Sequence, residues 1–304
     1  MLKKLTYNRL TWIDLESPTK EEVRGVMESY DIHPLVAEDL LSETIRPKVD
    51  YYGNQIYLVL HFPTVSHSHG DKTSQEIDFV VGKNFLITVH YETVDSLLEF
   101  SKMFEVNSIL EKSNLGEHAG FLFFYIIREL YKNLSSELNI VRKTLETIES
   151  EIFSGNEGLM VEKISNVNHK LINFKQAIRF HKDVLNSFEA AARDLFGEKF
   201  AFYAKAISGE AYEVASILDG HKETLMDFWN TNDSLLSSKI NKTMKALAVL
   251  AAILLPVSIV GQIFGISSTY VPFMDQPGAF FTVLEVMGVA AIIMYAVSKW
   301  KKWL

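Results

Sequence analysis

From Ala246 to Met274 the chain carries no charged residue, and only Asp275 and Glu285 interrupt the apolar stretch that runs on to Lys299. Two runs stand out within it, Ala246–Ser268 (ALAVLAAILLPVSIVGQIFGISS) and Ala279–Ser298 (AFFTVLEVMGVAAIIMYAVS), separated by a short segment holding Pro272, Pro277 and Gly278. A bilayer core of about 30 Å takes roughly 20 apolar residues of helix to cross. The pattern therefore predicts a C-terminal transmembrane hairpin with spans at about 246–264 and 279–298. The competing reading is a helical hairpin buried in a soluble core. Lysines argue against it: Lys239, Lys242 and Lys245 precede the first span, Lys299, Lys301 and Lys302 follow the second, and about 265–278 has no Lys or Arg. The positive-inside rule places both clusters, and with them both termini, on the cytoplasmic side of a cell membrane. Trp300 and Trp303 suit an aromatic belt at the inner face.

Residues 1–116 follow a different pattern and read as α/β. Leu10–Leu15 is a short strand, and Ser17-Pro18-Thr19 followed by Glu21 and Glu22 is a helix start. His33-Pro34 opens a second helix, expected to end before Arg46-Pro47. Gln55–Phe62, Glu76–Val81 and Asn84–His90 are β-rich runs, with Gly82-Lys83-Asn84 as a tight hairpin. The loop His67–Asp71 reads as an exposed hairpin tip, with a metal clip as the alternative.

Beyond Glu117 apolar residues recur every three or four positions. Phe121–Phe153 and Leu159–Phe196, with Ser154–Gly158 as the turn, are expected to form an antiparallel helical hairpin over 117–197. No proline occurs between Gly197 and Pro256, so a stalk helix over 198–245 is expected to continue into the first span. That helix carries two stripes. Ile207, Ala211, Val214, Leu218, His221, Leu225, Phe228, Asn232 and Leu235 alternate four and three, the spacing of a coiled-coil seam. Asn230, Ser234, Ser237, Asn241, Met244, Ala248, Ala251, Leu255, Ser258 and Gln262 keep the same spacing but begin small and polar. Asn and Ser make a poor packed core, whereas several copies of this helix around water would use them.

A hydrated divalent cation, magnesium above all, gives up its waters reluctantly and suits side chains that touch its water shell. Asn230 and Asn241 offer neutral acceptors, and Met244 with Leu247 would form an apolar constriction able to gate by dewetting. Periodicity alone leaves pore lining and ordinary helix packing both open. Composition narrows the rest. The chain has no cysteine, so disulfides and thiolate metal sites are excluded. The N-terminus MLKKLTYNRLTW has no apolar core of a signal peptide, so the first domain is expected to stay in the cytosol. Lys239–Leu304 is basic while Met1–Ser238 is strongly acidic, which argues against nucleic acid and is compatible with cations nearby. No Walker loop, GxSxG or HExxH is present, so an enzyme is not expected.

Several phrases stand in order along the chain: Trp12-Ile13-Asp14-Leu15, Ile32-His33-Pro34-Leu35 with Glu38-Asp39-Leu40-Leu41, and Arg46-Pro47-Lys48-Val49. Phe85–His90, the Asn241-x-x-Met244-Lys245 approach to the first span with Pro256, and Lys301-Lys302-Trp303-Leu304 follow. Together they resemble the CorA family of divalent-cation channels and transporters. The resemblance implies an α+β fold assembled as a funnel-shaped homopentamer: a cytosolic αβα domain, long stalk helices, and a two-helix membrane hairpin whose first spans line a pore in the lipid bilayer. Mg²⁺ or another divalent cation (Co²⁺, Ni²⁺, Zn²⁺) would be the transported and the regulatory ion, with no covalently bound cofactor. Asn241 would be the ion-site residue, Met244 and Leu247 the gate, and Asn230, Ser234, Ser237, Leu255 and Ser258 further pore positions.

The chain departs from the family at its signature. Where Gly-Met-Asn is expected after the first span, Gly265-Ile266-Ser267 stands, and Asp275 is the only charge of the loop. Serine still bonds to a water on a hydrated ion, with shorter reach than an amide. The alternative function is therefore a non-conducting pentameric scaffold or metal sensor on the same fold. Glu285 lies within the second span, where a carboxylate is costly. It reads either as a proton site or as a side chain snorkelling to the outer headgroups.

Overall fold

A computed structural model describes residues 1–44, 46–64, 73–109, 118–265 and 278–301. The chain divides into two compact units, Met1–Trp229 and Asn230–Leu304.

The first unit begins with strands β1 (Leu2–Tyr7) and β2 (Leu10–Glu16), then helices α1 (Lys20–Tyr30) and α2 (Pro34–Asp39). Strands β3 (Lys48–Tyr51), β4 (Gln55–Pro63), β5 (Ser74–Gly82) and β6 (Phe85–His90) complete one six-stranded sheet of order β1-β2-β6-β5-β4-β3. All neighbours are antiparallel except β2 and β6, which run parallel with Ile13 opposite Ile87. Helices α3 (Asp95–Ile109), α4 (Ala119–Phe153), α5 (Glu157–Ile178) and α6 (His181–Phe196) follow, then α7 (Glu198–Gly265).

Local chemistry explains the starts. Thr19 and Glu22 form a reciprocal capping box on α1, and Asp31 ends that helix in the left-handed region. Asn8 at φ 52° makes the tight β1–β2 turn, a conformation asparagine tolerates. β4 and β5 are buried along most of their length, as strands covered on both faces must be. On one face Ile13, Leu15, Tyr57, Val59, Val80 and Ile87 pack with Val23 and Val26 of α1 and Val36 of α2. On the other, Trp12 meets Phe100 of α3, Phe79 meets Phe123 of α4, and Phe62 meets Tyr131 and His181. The result is the expected αβα sandwich.

Several elements differ from expectation. β1, β3 and α3 were not anticipated. α2 ends at Asp39, before Arg46-Pro47 as expected, and beyond it the Thr44 amide donates to the Glu76 carboxylate at 2.8 Å. The helix expected over Leu159–Phe196 is two, α5 and α6, broken at Arg179 and Phe180. There the chain turns to bury His181, whose Nε2 donates to the His61 carbonyl at 2.8 Å. Its Nδ1 accepts from the Tyr131 hydroxyl at 2.7 Å, so the neutral tautomer satisfies both ring nitrogens. Gly197, at φ 88°, then separates α6 from α7.

The coiled-coil stripe of α7 is an internal seam within this unit. Ile207, Ala211, Val214, Leu218 and Leu225 are buried, and His221 Nε2 donates to the Leu138 carbonyl of α4 at 3.0 Å. Arg128 pairs with Glu210 at 3.2 Å and Lys175 with Asp219 at 2.7 Å, fastening α4 and α5 along the same helix.

Complete burial pushes His181 down to about 4, since charging it would strand a cation in the core. The unfolded chain takes up a proton here below about 6.5 while the fold does not until about 4. Stability is therefore full above about 6.5 and is expected to fall by the order of 3 kcal/mol as pH drops toward 4. Denaturant titrations of wild type and His181→Gln across that range check this: the variant should lack that part of the acid loss.

Candidate functional site on the second unit

The second unit contains α7 from Asn230 onward and α8 (Ala279–Trp300). Both helices are long and apolar enough to cross a membrane. A helix suits that setting because every interior amide finds its partner four residues away. Pro256 is the exception within α7: it has no N–H for the Ala252 carbonyl.

Two features of this part of α7 bear on its surroundings. One is the contact with α8. Val249 is buried, and a Cβ on Gly261 would stand 3.6 Å from Met287 Cε of α8, ordinary contact distance. Ser298, near the end of α8, is wholly buried. The other is the polar-to-apolar stripe. Asn230, Ser234, Ser237, Asn241, Met244, Ala248, Ala251, Leu255, Ser258 and Gln262 are all exposed in the single chain. Met244, Leu247 and Leu255 are 62%, 60% and 62% exposed, as are other apolar side chains of α7 and α8. Ser234 Oγ donates to the Asn230 carbonyl at 2.9 Å, so its hydroxyl turns lone pairs, not a proton, to its surroundings. Thr243 bonds Lys239 in the same way at 3.0 Å.

The structure thus places Asn230, Ser234, Ser237, Asn241, Met244, Leu247, Leu255 and Ser258 on one exposed helical element. Gly265 is its last residue. Ile266 and Ser267 lie outside the described residues, as do His67 and His69. Glu285 is exposed on α8. No group of three or more His, Cys, Asp or Glu able to hold a metal occurs among the described residues. The arrangement can touch a hydrated ion through amide and hydroxyl oxygens. It offers no carboxylate cage to strip one.

Sequence reasoning missed the polar group buried in the first unit, where Glu76 and Asp78 sit with His61, Tyr57 and Tyr91. Its signal was the Glu-x-Asp spacing in β5, which puts two carboxylates on the sheet face that also carries Val80.

Residues 7–299 match the family model described as CorA-like Mg²⁺ transporter protein. The chain is 25% identical over 296 residues to the cobalt/magnesium transport protein CorA of Thermotoga maritima, covering 97% of this chain and 83% of that protein. The fold superposes on the complete CorA magnesium transporter of Methanocaldococcus jannaschii with a TM-score of 0.83 at 20% identity, covering 100% of this chain and 95% of that one. The ZntB cytoplasmic domain of Vibrio parahaemolyticus gives a TM-score of 0.62 at 13% identity, over 77% of this chain and 90% of that domain.

Leucine at Gly261 would drive into Met287 and part the two helices. Overpacking of this kind costs about 1–3 kcal/mol. Gly261→Leu is expected to lower the melting temperature of the detergent-solubilised protein, with Ser258→Leu, on the exposed stripe, as the milder control.

Proposed function

The chain belongs to the family of CorA-like Mg²⁺ transporter proteins, and we propose on that footing that its α7 stripe lines the ion path of a homopentamer. It is a membrane transporter of divalent cations. The reading of the path is carried by one observation: a stripe spaced four and three runs from Asn230 to Gln262, begins with Asn and Ser, and is exposed throughout in the single chain. Five copies placing that face inward would cover Met244, Leu247 and Leu255 from lipid and ring the axis with amides and hydroxyls.

Both termini lie in the cytoplasm in this reading, with residues 1–245 on that side and 246–304 forming the membrane hairpin. Ions arrive past Ser267, rearrange outer waters along Ser258 and Leu255, cross the Leu247/Met244 constriction, and leave by the Asn241 and Asn230 rings. Magnesium and cobalt, named for the Thermotoga relative, are the first substrates to test. Neutral oxygens acting through the water shell suit both. Glu285 serves as a snorkelling carboxylate.

Hydrogen bonds to a charged partner are worth about 1.5–3 kcal/mol, so Asn241→Ala is expected to change flux into proteoliposomes by about tenfold or more. Met244→Trp should reduce flux by narrowing the constriction. Wild-type protein that passes none of Mg²⁺, Co²⁺, Ni²⁺ or Zn²⁺ would defeat the reading. Conduction gained only by Ile266→Met with Ser267→Asn would point instead to a scaffold that has lost its filter.

Because the chain has no cysteine, single cysteines report water access without background. Those at Asn241, Met244, Ala251 and Ser258 are expected to react with a small polar thiol reagent, and one at Val249 to be protected. Glu285→Gln is expected to leave uptake unchanged at every pH. A pH-dependent loss would make Glu285 a proton site.

A further inference from the structure

The first unit holds a second chemical feature, unrelated to the ion path. Glu76 and Asp78 of β5 are 5% and 0% exposed, two carboxylates on one buried face. Glu76 is almost fully engaged: its oxygens accept from the Thr44 amide at 3.0 and 2.8 Å, from the Thr44 hydroxyl at 3.1 Å, and from His61 Nε2 at 3.2 Å. Among the described residues Asp78 has one long donor: Oδ2 accepts from the Tyr91 hydroxyl at 3.5 Å, and Oδ1 has no partner. The Tyr57 hydroxyl, on a side chain that is 0% exposed, is likewise unpartnered and feels the charge of Asp78, Asp39 and Glu76.

We propose that Glu76 and Asp78 together form a one-proton site, with Asp78 carrying the proton and donating it to the Glu76 carboxylate. That donor joins three others, the Thr44 amide, the Thr44 hydroxyl and His61 Nε2, on a carboxylate with about four lone-pair sites. It also removes the repulsion that two buried negative charges this close would suffer. The proton then holds more than itself. Glu76 is what fastens Thr44, just beyond α2, to the sheet, so losing the proton sets a second charge against that clamp.

The surroundings agree. Asp39 comes from α2 and Glu43 from beyond it, Lys48 and Asp50 from β3, Tyr57 and His61 from β4, and Tyr91 follows β6. Lys48 is taken by Asp39 at 2.6 Å and Asp50 at 3.3 Å. His61 is taken by Glu76. Neither Lys48 nor His61 pairs with Asp78 among the described residues. Burial, followed by the charge of Glu76, holds Asp78 well above the usual carboxylate range. Burial also opposes the charge on Glu76, but His61 and the Thr44 amide outweigh it and hold that group low. The unfolded chain ionises an aspartate near about 3.9, so unfolding releases the proton. The contribution is full at acid pH and is lost as pH rises through the folded value.

Infrared titration of the full-length protein in detergent, in a Glu285→Gln background, tests this. A protonated-carboxyl band should persist at neutral pH and vanish in Asp78→Asn. In Glu76→Gln it should disappear at a lower pH than in wild type, because the neighbouring charge that favours protonation has gone. Above about 6.5, where the His181 contribution no longer changes, melting temperature should fall with rising pH in the parent and lose that slope in Asp78→Asn. Absence of the band at neutral pH, a band that survives Asp78→Asn, or an unmoved midpoint in Glu76→Gln each overturns the proposal. Should Asp78→Asn not fold, the parent band and the Glu76→Gln midpoint decide alone.

Discussion

A peptide group inside a bilayer has no water to bond, and the second unit follows from that constraint. Helices satisfy their own amides, so α7 and α8 can each cross without help from side chains. What the side chains do is then settled face by face. Gly261 receives Met287 of α8, and the stripe from Asn230 to Gln262 is exposed in the single chain.

The first unit obeys the same demand in a different solvent. Its sheet is covered on both faces, so polar groups at its centre must bond to one another. His181 does so neutrally, between Tyr131 and a main-chain carbonyl. Glu76 does so as an anion held by Thr44 and His61. In both cases the protonation state follows from which donors and acceptors surround the group, and the ordinary solution value has little say.

Much of this was legible in the sequence because it is periodic. The spans and the two stripes of α7 announce themselves by spacing, and β4, β5 and β6 by β-rich runs between turn residues. Elements without a strong period did not. β1 carries Lys3-Lys4 and half-exposed positions, and β3 is a four-residue strand at the sheet edge. The break at Arg179 and Phe180 has no glycine or proline to mark it, since it is set by the burial of His181 from across the fold. The parallel pairing of β2 with β6 is likewise invisible, because neither strand states its distant partner. Of the ion path, the stripe could be read from spacing, while the residues of the Gly-Ile-Ser segment beyond Gly265 lie outside the described residues.

That parallel pairing also sets an order of events. All six strands lie between Leu2 and His90, and the helices that cover them are complete at Phe196. A chain emerging from the ribosome therefore possesses every layer of the sandwich before the uncharged run at Ala246 appears. Domains fold as units, N-terminal first, during synthesis. The soluble part can be finished while the hydrophobic hairpin is still unmade, and the membrane machinery receives a nascent chain whose aqueous half is no longer sticky.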